Sequence, residues 1–167
     1  MAESTEQPAS EAQLLVRRAN SEDRSFIREL AVKVFSVYGS YDQYLTEWAE
    51  THETTTLIGE IGGERVGLAM LAVYPARRSR SEGVAELLAI AVEPSFQARG
   101  VGTMLLEKVI QEASRLPYAF PIVEIHLSVA EGNSRAQRLF SRRGFRRTAG
   151  EGVYPSGQRA LHMIKAL

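Results

Sequence analysis

"VEPSFQARGVGTML", residues Val92–Leu105, joins the end of an apolar run to the start of an amphipathic helix. The run before it, "VAELLAIAV" (84–92), is nearly all apolar, the pattern of a strand covered on both faces. Behind it, Leu105, Leu106, Val109, Ile110 and Ala113 fall along one side of a helix expected over about 101–115. Gly100 and Gly102 stand at the junction, one valine apart. Glycine lets the backbone turn tightly without a side chain in the way. At a helix start, free amides and the helix dipole together favour a phosphate.

Two familiar phosphate patterns do not fit. A dinucleotide turn needs G-x-G-x-x-G soon after its strand, yet Leu105 fills the third glycine's place and seven residues separate Val92 from Gly100. A P-loop ends in Gly-Lys-Ser/Thr, which this stretch lacks. What fits is a short nest: successive amides from Ala98 to Thr103 turned into one concavity, with the charge of Arg99 nearby.

The flanking sequence supplies the rest of the fold. "LLVRRA" (14–19) reads as a strand, and Asn20 as a helix cap with Asp23 at the third position. Phe26, Ile27, Leu30, Ala31, Val34, Phe35 and Tyr38 then recur at helical spacing as far as Gly39. "YDQYLTEWAETH" predicts a second, shorter helix, and "TTTLIGEI" with "ERVGLAMLAVY" a hairpin around Gly62-Gly63. "FPIVEIHLSVA" is the next strand, and "NSRAQRLFSRRGF" a helix capped by Asn133 and closed by Gly144. A final hairpin spans "YPSG". The order β-α-α-β-β-β-α-β-α-β-β predicts a single α/β (α+β) domain over 14–167. Its sheet should be mixed, mostly antiparallel, with about seven strands beside about four helices. Residues 1–13, polar and without periodicity, are expected to be a disordered tail.

Composition narrows the function classes. Twenty Lys and Arg balance twenty Asp and Glu, so net charge asks for neither nucleic acid nor an anionic membrane. The absence of cysteine excludes disulfides, thiolate metal sites and a thiol nucleophile. "MAESTEQPASEAQ" lacks the basic-then-apolar build of a signal peptide, and no apolar run approaches the ~20 residues of a membrane span. A cytoplasmic protein is expected, and a homodimer is compatible with the sequence. "H52-E53" opens like a zinc-protease motif, but Thr56 stands where the second histidine belongs, so no metal is expected.

"Q97-A-R-G100-V-G102" fits the pattern Q/R-x-x-G-x-G/A, and resembles the pyrophosphate motif of the GNAT superfamily of N-acetyltransferases. "N133-S-R-A136-Q-R-L139-F140-S-R-R-G144-F145" is similar to that superfamily's second signature, and "VYPSGQRALHMIKAL" to the tail of bacterial ribosomal-protein-alanine acetyltransferases. The resemblance implies the GNAT fold, acetyl-CoA as acetyl donor and an amine as acceptor, whether protein N-terminus, lysine or small molecule. It places Gln97, Ala98, Arg99, Gly100, Val101, Gly102 and Thr103 on the pyrophosphate. Ile90, Ala91 and Val92 would offer backbone groups to pantetheine and the acetyl carbonyl, with Asn133 and Phe140 on the cofactor side.

Acetyl transfer to an amine requires a group that takes the amine's proton. Glu86 is the only charge inside "VAELLAIAV", and alternation puts it on one face with Leu88, Ile90 and Val92. Its spacing from Gln97 resembles that of the catalytic glutamate in histone-type acetyltransferases. A buried ion pair with an arginine is the equal alternative. Ser128 stands where the alanine acetyltransferases carry a glutamate, and Phe140 where they carry a tyrosine acid, with Tyr154 as a candidate substitute. These departures keep a rival open, an acyl-CoA-binding regulatory module with little catalysis. Glu124, His126 and Ser128 share a strand face but lie in a line at about 6.5–7 Å spacing, unlike a hydrolase triad. Tyr41, Tyr44 and Trp48 are candidate acceptor-pocket residues, and Arg77, Arg78 and Arg80 a candidate surface for an acidic acceptor.

Overall fold

The computed structural model describes residues 13–115 and 118–167, so all but the last residue of the expected tail lies outside them. The apolar runs become strands β1 (Leu14–Arg18), β2 (Thr54–Ile61), β3 (Glu64–Pro75), β4 (Gly83–Val92), β5 (Ile122–Ala130), β6 (Arg146–Val153) and β7 (Arg159–Ala166). They form one sheet in the order β1-β2-β3-β4-β5-β7-β6. Every neighbouring pair runs antiparallel except β4 with β5, which are parallel. The helices are α1 (Arg24–Phe35), α2 (Tyr41–Trp48), α3 (Val101–Ser114) and α4 (Ser134–Arg142). Element order and sheet type match the sequence expectation. No helix among the described residues is long and apolar enough to cross a membrane.

Periodicity decides which helix covers which face. Leu105, Leu106, Val109 and Ala113 of α3 join Phe140 of α4 over Ala69, Leu71, Ala85, Leu87, Ile125 and Leu127 of the sheet. On the other face, Ile27, Leu30 and Ala31 of α1 and Leu45 of α2 cover Ile58, Leu68, Met70, Ala89 and Ala91. The approach of α3 depends on Gly67: a Cβ there would lie 2.9 Å from both the Ala91 carbonyl oxygen and Leu105 Cδ1. Leu105, which breaks the dinucleotide pattern, is therefore the residue that seats α3 on the sheet. One boundary differs from expectation: α1 stops at Phe35, and the chain turns through Tyr38 into Gly39 at φ 143°. Pro155 packs against Gly39 where a side chain would otherwise stand.

The cap at Asn20 forms as the sequence predicts, in a short 3-10 turn that leads into α1. Glu22 N donates to Asn20 Oδ1 (2.9 Å), and Asn20 N to Asp23 Oδ2 (2.8 Å). Asp23 is fully buried and also accepts from Arg17 (2.7 and 2.9 Å) and Arg65 (2.6 Å). One carboxylate thus ties β1 and β3 to the start of α1. The Arg17 guanidinium holds the Asp23 carboxyl well below the usual carboxylate range, against the opposing effect of burial.

Because the folded-state value is depressed, the ionised carboxylate stabilises the fold above the unfolded value of about 3.9. That contribution drains away as pH falls below it. Asp23→Asn should lower unfolding free energy at pH 7 by roughly 2–4 kcal/mol, because it leaves two arginines without their buried partner. The gap to wild type should narrow in acid, and urea unfolding at pH 7 and pH 3 checks both statements.

Candidate active site

The parallel pair does not stay paired. β4 and β5 pair from Gly83↔Ile122, with a one-residue shift after Gly83, to Leu87↔Leu127, and no pairing follows although both strands continue. At the same level β4 carries a bulge against β3: Met70 pairs with Ala89 and Leu71 with Leu87, leaving Leu88 extra. A bulge bends its strand and strengthens the local twist, which turns the second half of β4 away from β5. A cleft of about 590 Å³, part of it open to solvent, lies in the gap. It is lined by Leu87–Ile90 of β4, Leu127–Ala130 of β5 and, on the α4 side, Asn133, Ala136 and Phe140.

The bulge corrects the expected facing of β4. Strict alternation would place Glu86, Leu88, Ile90 and Val92 on one face. Instead Leu88 packs with Ala89 and Ala91 on the α1/α2 side, while Ile90 and Val92 pack on the α3/α4 side. The backbone of this segment is equally specific. Glu93 N donates to Val66 O on β3 (2.8 Å), so alternation turns the Ala91 amide and carbonyl to β3 as well. Those of Ile90 and Val92 then face the gap. In agreement, the Val92 carbonyl accepts from Gln97 Nε2 (3.2 Å) rather than from β3.

The glycine turn sits at the end of that open edge. Gly100 caps α3 at φ 81°, and Ala98 is the one non-glycine at positive φ among the described residues (63°). The backbone amides from Ala98 through Thr103, including those of Arg99, Val101 and Gly102, have no protein acceptor among the described residues. A Cβ on Gly100 would meet nothing within 4 Å. This is an open cradle of amide donors at the positive end of a helix, and it fits a diphosphate. The Gln97 side chain is engaged within the protein: it donates to Val92 and accepts from Arg135 Nη1 (3.3 Å). Arg99 lies over the Phe96 ring, 5.2 Å from its centre. Asn133 Oδ1 caps α4 through Ala136 N (3.1 Å), leaving Nδ2 without a protein partner among the described residues. Phe140 is buried edge-to-face against Phe145.

Glu86 does not line the cleft. It is half-buried on β4 before the bulge, beside Ala72 of β3 and His126 of β5 in register. No arginine is within ion-pair distance of it among the described residues, so the ion-pair alternative is not realised. Its neighbours are histidines. The rings of His126 and His162 meet edge-on at 5.2 Å, His126 Nε2 lies 2.9 Å from Glu124 Oε2, and His162 Nδ1 lies 2.9 Å from Thr148 Oγ1. Burial, and next His126, push His162 below its ordinary value, with Glu86 opposing. Glu124 and His126 therefore bridge the strand spacing with their side chains, contrary to expectation. Ser128 points into the cleft without joining them, so no triad forms. The sequence reading missed His162, whose partners come from β5 and β6 and leave no local signal.

The remaining candidates divide. Tyr41 and Tyr154 line the cleft, whereas Tyr44 and Trp48 stack on each other outside it. Arg77, Arg78 and Arg80 stay exposed on the β3–β4 loop. Among the described residues no group of acidic, histidine or cysteine side chains could hold a metal ion.

The fold is that of an acetyltransferase domain. The family model described as Acetyltransferase (GNAT) family matches residues 19–145, from the start of α1 through α4. The chain belongs to that family. It is 27% identical over 138 residues to an uncharacterized N-acetyltransferase of Methanocaldococcus jannaschii, covering 78% of this chain and 59% of that one. It is 39% identical over 75 residues to the [ribosomal protein bS18]-alanine N-acetyltransferase of Salmonella typhimurium, covering 44% and 48%. The matches thus span about half of the curated relatives' length. Arabidopsis thaliana NAA60 in complex with acetyl-CoA shares the fold at a TM-score of 0.77, with 16% identity over 93% of this chain and 99% of that one.

Gly102 tests the cradle. A Cβ there would sit 3.7 Å from Leu139 and Val92, an ordinary contact. Gly102→Ala should be tolerated, while the branched methyls of Gly102→Val crowd the amides. The valine variant should bind CoA at least tenfold more weakly by calorimetry with a near-wild-type melting temperature.

Proposed function

We propose that this protein transfers the acetyl group of acetyl-CoA to a primary amine by direct attack. The observation that carries this reading is one cleft with two different edges: free backbone groups and an amide cradle along β4, and an open face toward α1 and α2. When bound, acetyl-CoA supplies an acetyl thioester, already activated toward an amine. The amides of Ala98–Thr103 bind its diphosphate, the gap-facing groups of Ile90 and Val92 pair with its pantetheine arm, and Asn133 Nδ2 donates to the same arm. Phe140 gives that arm an apolar wall. Gln97 and Arg135 hold the turn to β4 and α4, a positioning role. The NAA60 complex supports the donor, and the N-acetyltransferase activity in the relatives' names supports an amine as acceptor. That amine is a protein N-terminus, a lysine or a small molecule.

The reaction forms a C–N bond and breaks the thioester C–S bond, and an ammonium acceptor loses two protons in all, one before attack and one from nitrogen as the amide forms. The second passes to solvent. Glu86 takes the first through water. It lies one strand step from Leu88, and His126 one strand step from Ser128, so both stand just beyond the floor of the cleft on the acceptor face. Phe140 has no proton to give the leaving sulfur. Tyr154 is a poor donor too: burial, and then Tyr41 and Tyr38, push its phenol up to about 12. A thiol at about 8.5 is far the stronger acid, so proton transfer from Tyr154 to a thiolate runs uphill by several powers of ten. The thiolate leaves without protonation by either ring.

Thiol release from acetyl-CoA with a panel of amines and peptides tests the activity. Tight CoA binding without turnover on the panel would instead mark a binding module. Glu86→Gln should lower kcat on the order of 10²-fold while leaving the KM for acetyl-CoA near wild type. Equal rates for variant and wild type between about pH 6 and 9 would remove Glu86 from the mechanism.

A further inference from the structure

The acceptor half of the cleft is built from aromatic and aliphatic side chains. Its walls on the α1/α2 face are Phe35, Tyr38, Tyr41, Leu45, Leu88 and Tyr154, and among the described residues none that lines the cleft is charged. The rings touch one another: Tyr38 and Tyr154 at 5.0 Å, Tyr41 and Tyr154 at 6.2 Å, Phe35 and Tyr41 at 6.3 Å. A roof is tied over them. Ser156 N donates to Tyr38 O (3.1 Å), Gln158 Nε2 donates to Val37 O (3.0 Å), and Pro155 packs on Gly39. The β6–β7 loop is thereby fastened to the α1–α2 connection, and it delivers Tyr154 to the cleft.

Such walls treat charge unequally. A single ammonium can give up its proton at the rim, where Glu86, Glu124 and His126 lie beyond Leu88 and Ser128. A second ammonium carried further along the same molecule would lie among the rings with no carboxylate beside it, and the attraction of the ring faces offsets only part of its lost hydration. An apolar or aromatic body gains by burial in the same place. Resting on the reading of this cleft as an amine acetylation site, we propose that the acceptor is a monocationic primary amine borne on an apolar or aromatic body, and not a polyamine. An arylalkylamine and a peptide beginning with an apolar residue share that chemistry.

Thiol release with acetyl-CoA should show kcat/KM for phenethylamine at least about 30-fold above that for 1,4-diaminobutane or spermidine. A phenylalanyl peptide amide tested beside phenethylamine assigns the source by whichever is the better substrate. Calorimetric titration of phenethylamine and 1,4-diaminobutane into the CoA-loaded protein should show the same order of affinity. Tyr38→Glu places a carboxylate in the wall and should shrink the preference at least tenfold, while Tyr38→Phe keeps it. If Tyr38→Glu does not fold, Ser128→Asp, at an exposed position in the cleft, serves the same purpose. Diamine or spermidine turnover or binding equal to that of phenethylamine overturns the proposal. CoA binding with no thiol release on any amine overturns the transfer reading instead, and the calorimetric order still decides the acceptor class.

Discussion

The cleft in this chain follows from the parting of two parallel strands. β4 and β5 pair only as far as Leu87 and Leu127, where the extra residue Leu88 bends β4 away. An interior sheet edge without a partner strand exposes amides and carbonyls that need hydrogen bonds from elsewhere. Ile90 and Val92 present such groups to the gap, and the amide cradle of the glycine turn continues the line of donors. The hydrophobic cores on either face, seated by Gly67 and Leu105 on one side and by α1 and α2 on the other, hold the two strands at that separation.

The two halves of the cleft divide the chemistry by polarity. Backbone donors along β4 suit an anionic, amide-bearing donor molecule, and they are fixed by the sheet rather than by mobile side chains. The half proposed for the acceptor carries rings and aliphatic groups, with the Glu86 carboxylate one strand step outside it. An ammonium is less favoured in the apolar half than a free amine, so walls of this kind would favour the deprotonation proposed for Glu86. The leaving group needs less help, because a thiolate is a far weaker base than an amide or alkoxide ion.

Much of the fold was legible in the sequence because it rests on local signals. Apolar runs, the Asn20 and Asn133 caps and the paired glycines at 62–63 mark their elements in order, and the nest at 97–103 is written in contiguous residues. What was not legible depends on contacts between distant strands. No residue type announces the bulge at Leu88, yet it reverses the facing of Ile90 and Val92. The commitment of Gln97 to Val92 and Arg135, the contact of His126 with His162, and the arrival of Tyr154 beside Tyr38 and Tyr41 are set by tertiary packing. For the same reason α1 ends early: the tie between the Gly39 region and the β6–β7 loop decides where the chain leaves the helix.

Amide hydrogen exchange with and without CoA tests the parted-strand account most directly. The amides of Ile90 and Val92 and those of Ala98–Thr103 should exchange quickly in the free protein and slow markedly with CoA. Ala91, already paired with β3, should change little. If CoA binds but leaves Ile90 and Val92 unprotected, the open edge of β4 does not hold the donor, and the account is wrong at its centre.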